Sequence, residues 1–236
     1  MSTEQPSTNP AERLARVRER IARACRACHR DPGTVRLLAV SKGQPLEALR
    51  AMAAAGQCCF GESYVQEAME KIGPLEDSGC EWHFIGPLQT NKASLVARHF
   101  DWVHSIDRAR IATALSRHRG PDRRPLQVCL QANISGEASK SGVAPGELPA
   151  LAQEVAGLPG LRLRGLMAIP RPTDDVAAQR AAFRQLREAW EELRRRGHPL
   201  DTLSMGMSDD LEAAIAEGST LVRVGTALFG PRPGPD

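Results

Sequence analysis

The sequence predicts a single α/β domain built as a closed (β/α)8 barrel, and three observations carry that prediction. Apolar runs with strand character occur at residues 36–42, 58–62, 81–86, 102–106, 126–133, 161–169, 202–207 and 221–226. Helical patterns fill the intervals, at 45–55, 64–72, 91–99, 107–118, 146–157, 175–196 and 209–217. Strict alternation through short loops specifies a parallel sheet, and eight repeats let that sheet close on itself. The length of 236 residues also suits one barrel, which typically takes roughly 250. A doubly wound open sheet is the other architecture this alternation permits.

Taken in order, residues 1–10 read as a disordered tail and residues 11–232 as the barrel domain. An extra amino-terminal helix is expected over 11–29, because Leu14, Val17, Ile21, Cys25 and Cys28 form one apolar stripe. Cys25-Arg-Ala-Cys28-His29 matches the spacing of a c-type haem attachment site, but its cysteines already serve as stripe positions, so the reading is packing. In the longest helix, Phe183, Leu186, Trp190 and Leu193 recur at helical spacing, with arginines and glutamates on the other face. Gly56, Gly197 and Gly218 fall where helices end, and Asp209-x-x-Glu212 has the form of a capping box. The longest connection, 133–145, includes Gly136, Lys140 and Gly142, and a loop of that length in a compact domain is often functional.

Composition narrows the function classes. With 31 basic and 28 acidic side chains the net charge is +3, too balanced to steer the chain to nucleic acid or an anionic membrane, although a small anion would suit it. No run of about 18 apolar residues occurs and the first ten residues are polar, so neither a membrane span nor export is expected and the location should be cytoplasmic. The six cysteines follow no disulfide framework and should remain thiols. There is no zinc spacing, phosphate- or dinucleotide-binding glycine loop, or Gly-x-Ser-x-Gly elbow, and no metal is expected.

Chemistry in such a barrel gathers at the carboxyl ends of the strands. Strand one ends at Lys42, followed by Gly43 and Pro45, so the lysine either lies over the ligand crevice or snorkels to solvent from the rim. Strands seven and eight end in Ser204-Met-Gly-Met-Ser208 and Val222-Arg-Val-Gly225-Thr226, where a phosphate could be cradled. Gly206 would permit close backbone approach, and Met207 and Ser208 would donate; alternatively Ser208 and Thr226 only cap their helices. Asp209 and Asp210 would repel a phosphate unless they turn outward. Arg223 needs a partner on whichever face it takes, in a structural salt bridge or as a donor to a ligand. His83 and His104 read as core or rim residues, with no carboxylate at an obvious orienting distance in the sequence.

The segments Leu38-Ala-Val-Ser-Lys42, Phe60-Gly-Glu-Ser-Tyr-Val-Gln-Glu67, Trp82-His-Phe-Ile-Gly-Pro-Leu-Gln-Thr-Asn-Lys92, Gly165-Leu-Met-Ala-Ile-Pro170 and Ser204-Met-Gly-Met-Ser208 through Gly230 resemble, in that order, the pyridoxal phosphate homeostasis protein family. The resemblance spans residues 11–232. It implies a barrel of the alanine racemase amino-terminal type (fold type III), without that enzyme's carboxyl-terminal β-domain, holding pyridoxal 5′-phosphate as an imine on Lys42. The implied cofactor-binding set is Lys42, Ser204, Met207, Ser208, Arg223, Gly225 and Thr226, with Arg223 facing the pyridine nitrogen. Lys140 corresponds to a further family lysine. Ser63 and Gln44 depart from the asparagine and the second lysine that the family often has.

Burial should lower the Lys42 pKa from about 10.4, as imine formation requires, while a cationic Arg223 would make the ring a poorer electron sink. The racemase-type second base, a tyrosine from the missing domain, has no counterpart beyond Tyr64 at a helix start. The expectation is therefore a monomeric, non-enzymatic carrier that stores, buffers or delivers pyridoxal phosphate, with apo pyridoxal phosphate-dependent enzymes as partners. A fold type III racemase or decarboxylase, and a cofactor-independent lysine aldolase, are the competing classes.

Overall fold

In the computed structural model, which describes residues 9–136 and 141–231, eight parallel strands pair in sequence order and β8 returns to β1. The strands are β1 (Arg36–Val40), β2 (Cys59–Glu62), β3 (Glu81–Phe84), β4 (Trp102–Ile106), β5 (Leu126–Gln131), β6 (Leu161–Met167), β7 (Thr202–Ser204) and β8 (Leu221–Val224). Closure is direct: Leu37, Leu38 and Ala39 stand opposite Val222, Arg223 and Val224. Ahead of the barrel lies α1 (Pro10–Ala27), and α2 (Leu46–Ala54), α3 (Val65–Ile72), α4 (Ala93–His99), α5 (Ala109–His118), α6 (Leu148–Ala156), α7 (Val176–Arg195), α8 (Leu211–Ala216) and α9 (Thr226–Phe229) follow the eight strands in turn.

Helix boundaries agree with the sequence expectation to within two residues, but most strands stop two or three residues sooner at their carboxyl ends. Those residues leave the ladder and become the loops of the upper face. The expected capping box at Asp209 and Glu212 does not form: Asp210 is the N-cap of α8, its Oδ1 accepts from the Met207 amide at 2.6 Å, and Glu212 pairs with Arg20 of α1. Residues 1–8 of the expected tail, Lys140, and residue 232 lie outside the described residues. Asn9 and Pro10 belong to α1 instead, Asn9 as its N-cap.

Alternation along the strands sorts side chains between two cores. Phe60, Phe84 and Phe100 belong to the large apolar core, which the helices cover. Trp102, Cys129 and Met167 form a separate small cluster. Cys25 is fully buried on the inner face of α1, as a packing residue should be, and all six cysteines are unpaired thiols. Barrel lumens are ordinarily filled by branched aliphatic residues. Here buried His83, His104, Ser204 and Arg223 are joined by hydrogen bonds that cross from β4 to β7, so part of the lumen is polar.

Candidate ligand-binding site

At the carboxyl ends of the strands lies a cavity of about 380 Å³ lined by Val40, Lys42, Gln44, Ser63, Ile85, Ile169, Met207, Ser208, Asp209, Arg223, Gly225, Thr226 and Gly230. That volume is in the range of small-molecule sites. Larger hollows of about 510 and 470 Å³ carry residues from the amino-terminal ends of strands, but neither brings a lysine amine to its wall. The cavity gathers Lys42, Met207, Ser208, Arg223, Gly225 and Thr226; of the expected cofactor set only Ser204 is missing from its lining.

Lys42 is half-buried, less enclosed than the sequence suggested, and the backbone on both sides of it is tied down. The Lys71 ammonium donates to the Ser41 carbonyl at 2.8 Å, to Glu62 Oε1 at 2.8 Å and to Glu67 Oε1 at 2.5 Å. The Ser41 hydroxyl donates to Glu62 at 2.6 Å, and the Gly43 amide to Glu67 at 2.5 Å. Glu62 is fully buried; burial raises its pKa, opposed by Lys71 and the Ser41 hydroxyl. The only local trace of this network in the sequence is the i,i+4 spacing of Glu67 and Lys71, that of a helical ion pair.

Across the cavity the ends of β7 and β8 meet. Neither Ser208 nor Thr226 is the capping residue of its helix, since Asp210 and Gly225 hold those positions. In α9 the Leu228 and Phe229 amides donate to the Gly225 carbonyl at 2.9 and 3.0 Å, which leaves the Thr226 and Ala227 amides as the donors at this end. The Met207 amide, expected to donate to a ligand, is taken by Asp210. Gly206, at φ +96°, makes room for α8 rather than for a ligand: a β-carbon there would lie 2.5 Å from Ala214 Cβ.

Arg223 is only 3% exposed, and its hydrogen bonds go to uncharged oxygens: Nη1 to the Ser204 carbonyl (2.6 Å) and hydroxyl (2.8 Å), and Nη2 to the Ala168 carbonyl (2.9 Å). The expected alternative of a structural salt bridge is not what holds it. Burial pulls its pKa down to about 10, so the group stays cationic at neutral pH. Ser204 is fully buried, and its carbonyl and hydroxyl both accept from Arg223.

His83 and His104 are also fully buried, and contrary to the sequence expectation a carboxylate does orient His83: Glu81, two residues earlier on the same face of β3, at 2.6 Å. Glu81, His83 and Cys59 bring their ligand atoms within 4.8 Å of one another, a cluster the sequence spacing did not disclose. The Arg36 guanidinium already donates to Glu81 (2.6 Å) and Cys59 (3.1 Å) there, supplying the positive charge. Tyr64 is 64% exposed at the start of α3, and no helix among the described residues is long and apolar enough to cross a membrane.

A closed barrel with an amine, a buried arginine, hydroxyls and helix-end amides around one pocket belongs to the class of small-molecule-binding barrels that residues 13–233 match as a family model, "Alanine racemase, N-terminal domain". Within that class, the chain belongs to the pyridoxal phosphate homeostasis protein family. It is 60% identical over 222 residues to the pyridoxal phosphate homeostasis protein of Pseudomonas aeruginosa, covering 94% of this chain and 95% of that one. It is 54% identical over 225 residues to the protein of that name in Escherichia coli K12, covering 94% and 96%. PipY of Synechococcus elongatus, solved with PLP bound, superposes with a TM-score of 0.82 at 40% identity, over 94% of this chain and all of that one. Alanine racemase of Corynebacterium glutamicum shares the fold alone, with a TM-score of 0.68 and 18% identity; this chain covers 63% of its length.

Proposed function

We propose that this chain binds pyridoxal 5′-phosphate in the upper cavity, with Lys42 as the attaching amine, and serves in intracellular homeostasis of the cofactor by storing, buffering or delivering it rather than by turning over a substrate. The observation that carries this reading is the convergence of Lys42, Ser208, Arg223, Gly225 and Thr226 on one cavity of small-molecule size. When bound, the cofactor supplies an aldehyde reactive towards primary amines and an electron-withdrawing pyridine ring.

Each residue has a task that suits that group. Lys42 offers the amine from a backbone pinned at Ser41 and Gly43. The hydroxyls of Ser208 and Thr226 and the Thr226 and Ala227 amides donate to a phosphate. Arg223, cationic and held by three hydrogen bonds, faces the ring nitrogen as a donor and disfavours its protonation. Ser204 and Met207 belong to this binding set at one remove, Ser204 beneath Arg223 and Met207 through its side of the cavity wall. The apo enzymes that would receive the cofactor belong to the delivery side of the proposal.

The side chains around Lys42 support binding without turnover. Among the described residues, the ionisable side chains lining the cavity are Lys42, Asp209 and Arg223, while Ile85 and Ile169 form apolar wall. Tyr64, the one tyrosine, is largely in solvent. Mixing the purified protein with pyridoxal phosphate should give a visible absorption band, and borohydride should fix a single pyridoxyl group on the peptide containing Lys42. Lys42→Ala should abolish both. An adduct confined to another lysine would overturn the site, and sustained product formation from a panel of amino acids would overturn the non-catalytic reading.

A further inference from the structure

Beneath the cavity a line of side chains crosses the barrel lumen: Arg223 Nη1 to Ser204 Oγ (2.8 Å), Ser204 Oγ to His104 Nδ1 (2.8 Å), His104 Nε2 to His83 Nδ1 (2.9 Å), and His83 Nε2 to Glu81 Oε1 (2.6 Å). It starts at the proposed cofactor site and ends beside Arg36, at a carboxylate 35% exposed. The interior members are fully buried.

The direction of the protons is set from the carboxylate end. Ser204 Oγ accepts from Arg223 but keeps a second acceptor site; with both buried imidazoles neutral and the Glu81 carboxylate accepting from His83 Nε2–H, the Ser204 hydrogen goes to His104 Nδ1. His104 Nδ1 is then an acceptor, and its proton lies on Nε2, pointing at His83 Nδ1. His83 Nδ1 accepts in turn, which puts its proton on Nε2, where the Glu81 carboxylate receives it. Both neutral imidazoles are therefore Nε2–H tautomers. On His83 burial and Arg36 lower the pKa against the opposing pull of Glu81 and Asp101, and on His104 burial, His83, Arg223 and Arg36 all lower it.

We propose that Ser204, His104, His83 and Glu81 are positioning residues, a one-way hydrogen-bond relay that fixes the rotamer of Arg223 beneath the bound ligand and couples it to the Glu81–Arg36 pair at the opposite mouth of the barrel. Three of the five guanidinium N–H groups are committed to Ser204 and Ala168, which leaves two without an acceptor among the described residues to meet a ligand. A half-satisfied buried network would be worse than an aliphatic lumen, so two histidines with both nitrogens engaged are a costly choice unless the orientation matters. What Arg223 meets rests on the pyridoxal phosphate reading; the relay itself does not.

The tests separate the two. In the cofactor-free protein, ring ¹⁵N NMR at pH 7 should show His83 and His104 as neutral Nε2–H tautomers, and Arg223 should give resolved, slowly exchanging guanidinium signals. His104→Leu should collapse the Arg223 signals, and His104→Gln, which can accept from Ser204 and donate to His83, should restore them. With pyridoxal phosphate added, His104→Leu should weaken binding about tenfold and shift the absorption maximum, with His104→Gln recovering most of the loss. If the parent binds no pyridoxal phosphate but shows these tautomers and signals, the cofactor reading fails and the relay stands. Charged imidazoles, Nδ1–H tautomers in the parent, or unaltered Arg223 signals in His104→Leu would overturn the relay; the parent spectra decide this even if the leucine variant does not fold.

Discussion

At the scale of single residues, Asp210 holds the balance of the phosphate side. Its carboxylate caps the Met207 amide at 2.6 Å beside the loop where an anion would bind, and burial raises its pKa against the pull of that hydrogen bond and of Arg223. A like charge at this place should weaken a phosphate ligand. Asp210→Asn keeps an oxygen for the amide and removes the charge, so the dissociation constant for pyridoxal phosphate should fall about threefold to tenfold. Titration of the absorption band measures it, and unchanged or weaker binding would show that the carboxylate does not face the phosphate. Glu81 makes the complementary case for pH. Burial alone would raise its pKa, but hydrogen bonds from His83 and Arg36 bring it from 4.5 to about 2. A carboxyl whose pKa is lower folded than unfolded stabilises the fold above its unfolded value, and that contribution disappears as pH falls through the folded one. Stability should therefore decline between about pH 4.5 and 2, and Glu81→Gln should flatten that part of the denaturation profile. Of these residue-level features, the sequence expectation lacked Glu81, although it sits two positions before His83 and strand residues two apart share a face, so the period of the strand carried the signal. Asp210 was not: Asp209-x-x-Glu212 has the form of a cap, and only the packing of α8 on Gly206, with Glu212 drawn to Arg20, hands that role to its neighbour.

At the scale of elements, α7 and α8 are joined by one buried carboxylate. Glu217, 3% exposed just after α8, receives Arg180 at 2.9 Å, Arg184 at 3.0 Å and Arg187 at 3.5 Å, three successive positions along one face of α7. The arginines remain partly in water, which limits the value of each pair, so Glu217→Ala should cost about 1–2 kcal/mol. A fall in melting temperature of roughly 2–6 °C, smaller in high salt, would be the sign of it; no shift would mean that the arginines simply resolvate. Helix α7 itself was plain in the sequence, because its apolar residues recur at helical spacing and Asp175 caps it through the Ala177 amide at 2.8 Å. Strand ends were harder to read. The apolar character of Met205 to Met207 continues beyond β7, yet Gly206 has φ +96° and the ladder stops at Ser204. The link from His104 to Ser204 joins residues a hundred positions apart, so no local pattern could disclose it.

At the scale of the whole molecule, the outer layer of the barrel is closed by a helix from the wrong end of the chain. The helix after β8, α9, has only four residues, and α1 packs against α8, α9 and α2, which places it where an eighth barrel helix would lie. Its buried stripe of Leu14, Val17, Ile21, Ala24 and Cys25 faces inward, Arg18 donates to the Gly56 carbonyl at 2.8 Å, and Arg30, just beyond it, donates to Ile215 and Ser219 carbonyls at 2.7 and 2.8 Å. Burying the three large aliphatic side chains is worth on the order of 5–8 kcal/mol, comparable with the net stability of a domain. Spatially, then, α1 completes the last repeat, and Gly230 already lies against it, since a β-carbon there would come within 3.3 Å of Arg13 Nη1. A circular permutant should tolerate the transfer: linking Pro231 to Asn9 with a short Gly/Ser segment and opening the chain between Gly33 and Thr34 gives the order of eight uninterrupted βα repeats. The cut gives up the turn in which Asp31 caps the Gly33 amide, a loss of about 1 kcal/mol, and leaves the β1 ladder starting at Arg36 intact. The permutant should melt cooperatively and bind pyridoxal phosphate within about threefold of the parent, whereas a truncation beginning at Arg30 should aggregate or melt far lower. If the truncation kept the parent's melting temperature while the permutant failed to fold, α1 would be an appendage, and the barrel would have to be closed by β8 and α9 alone.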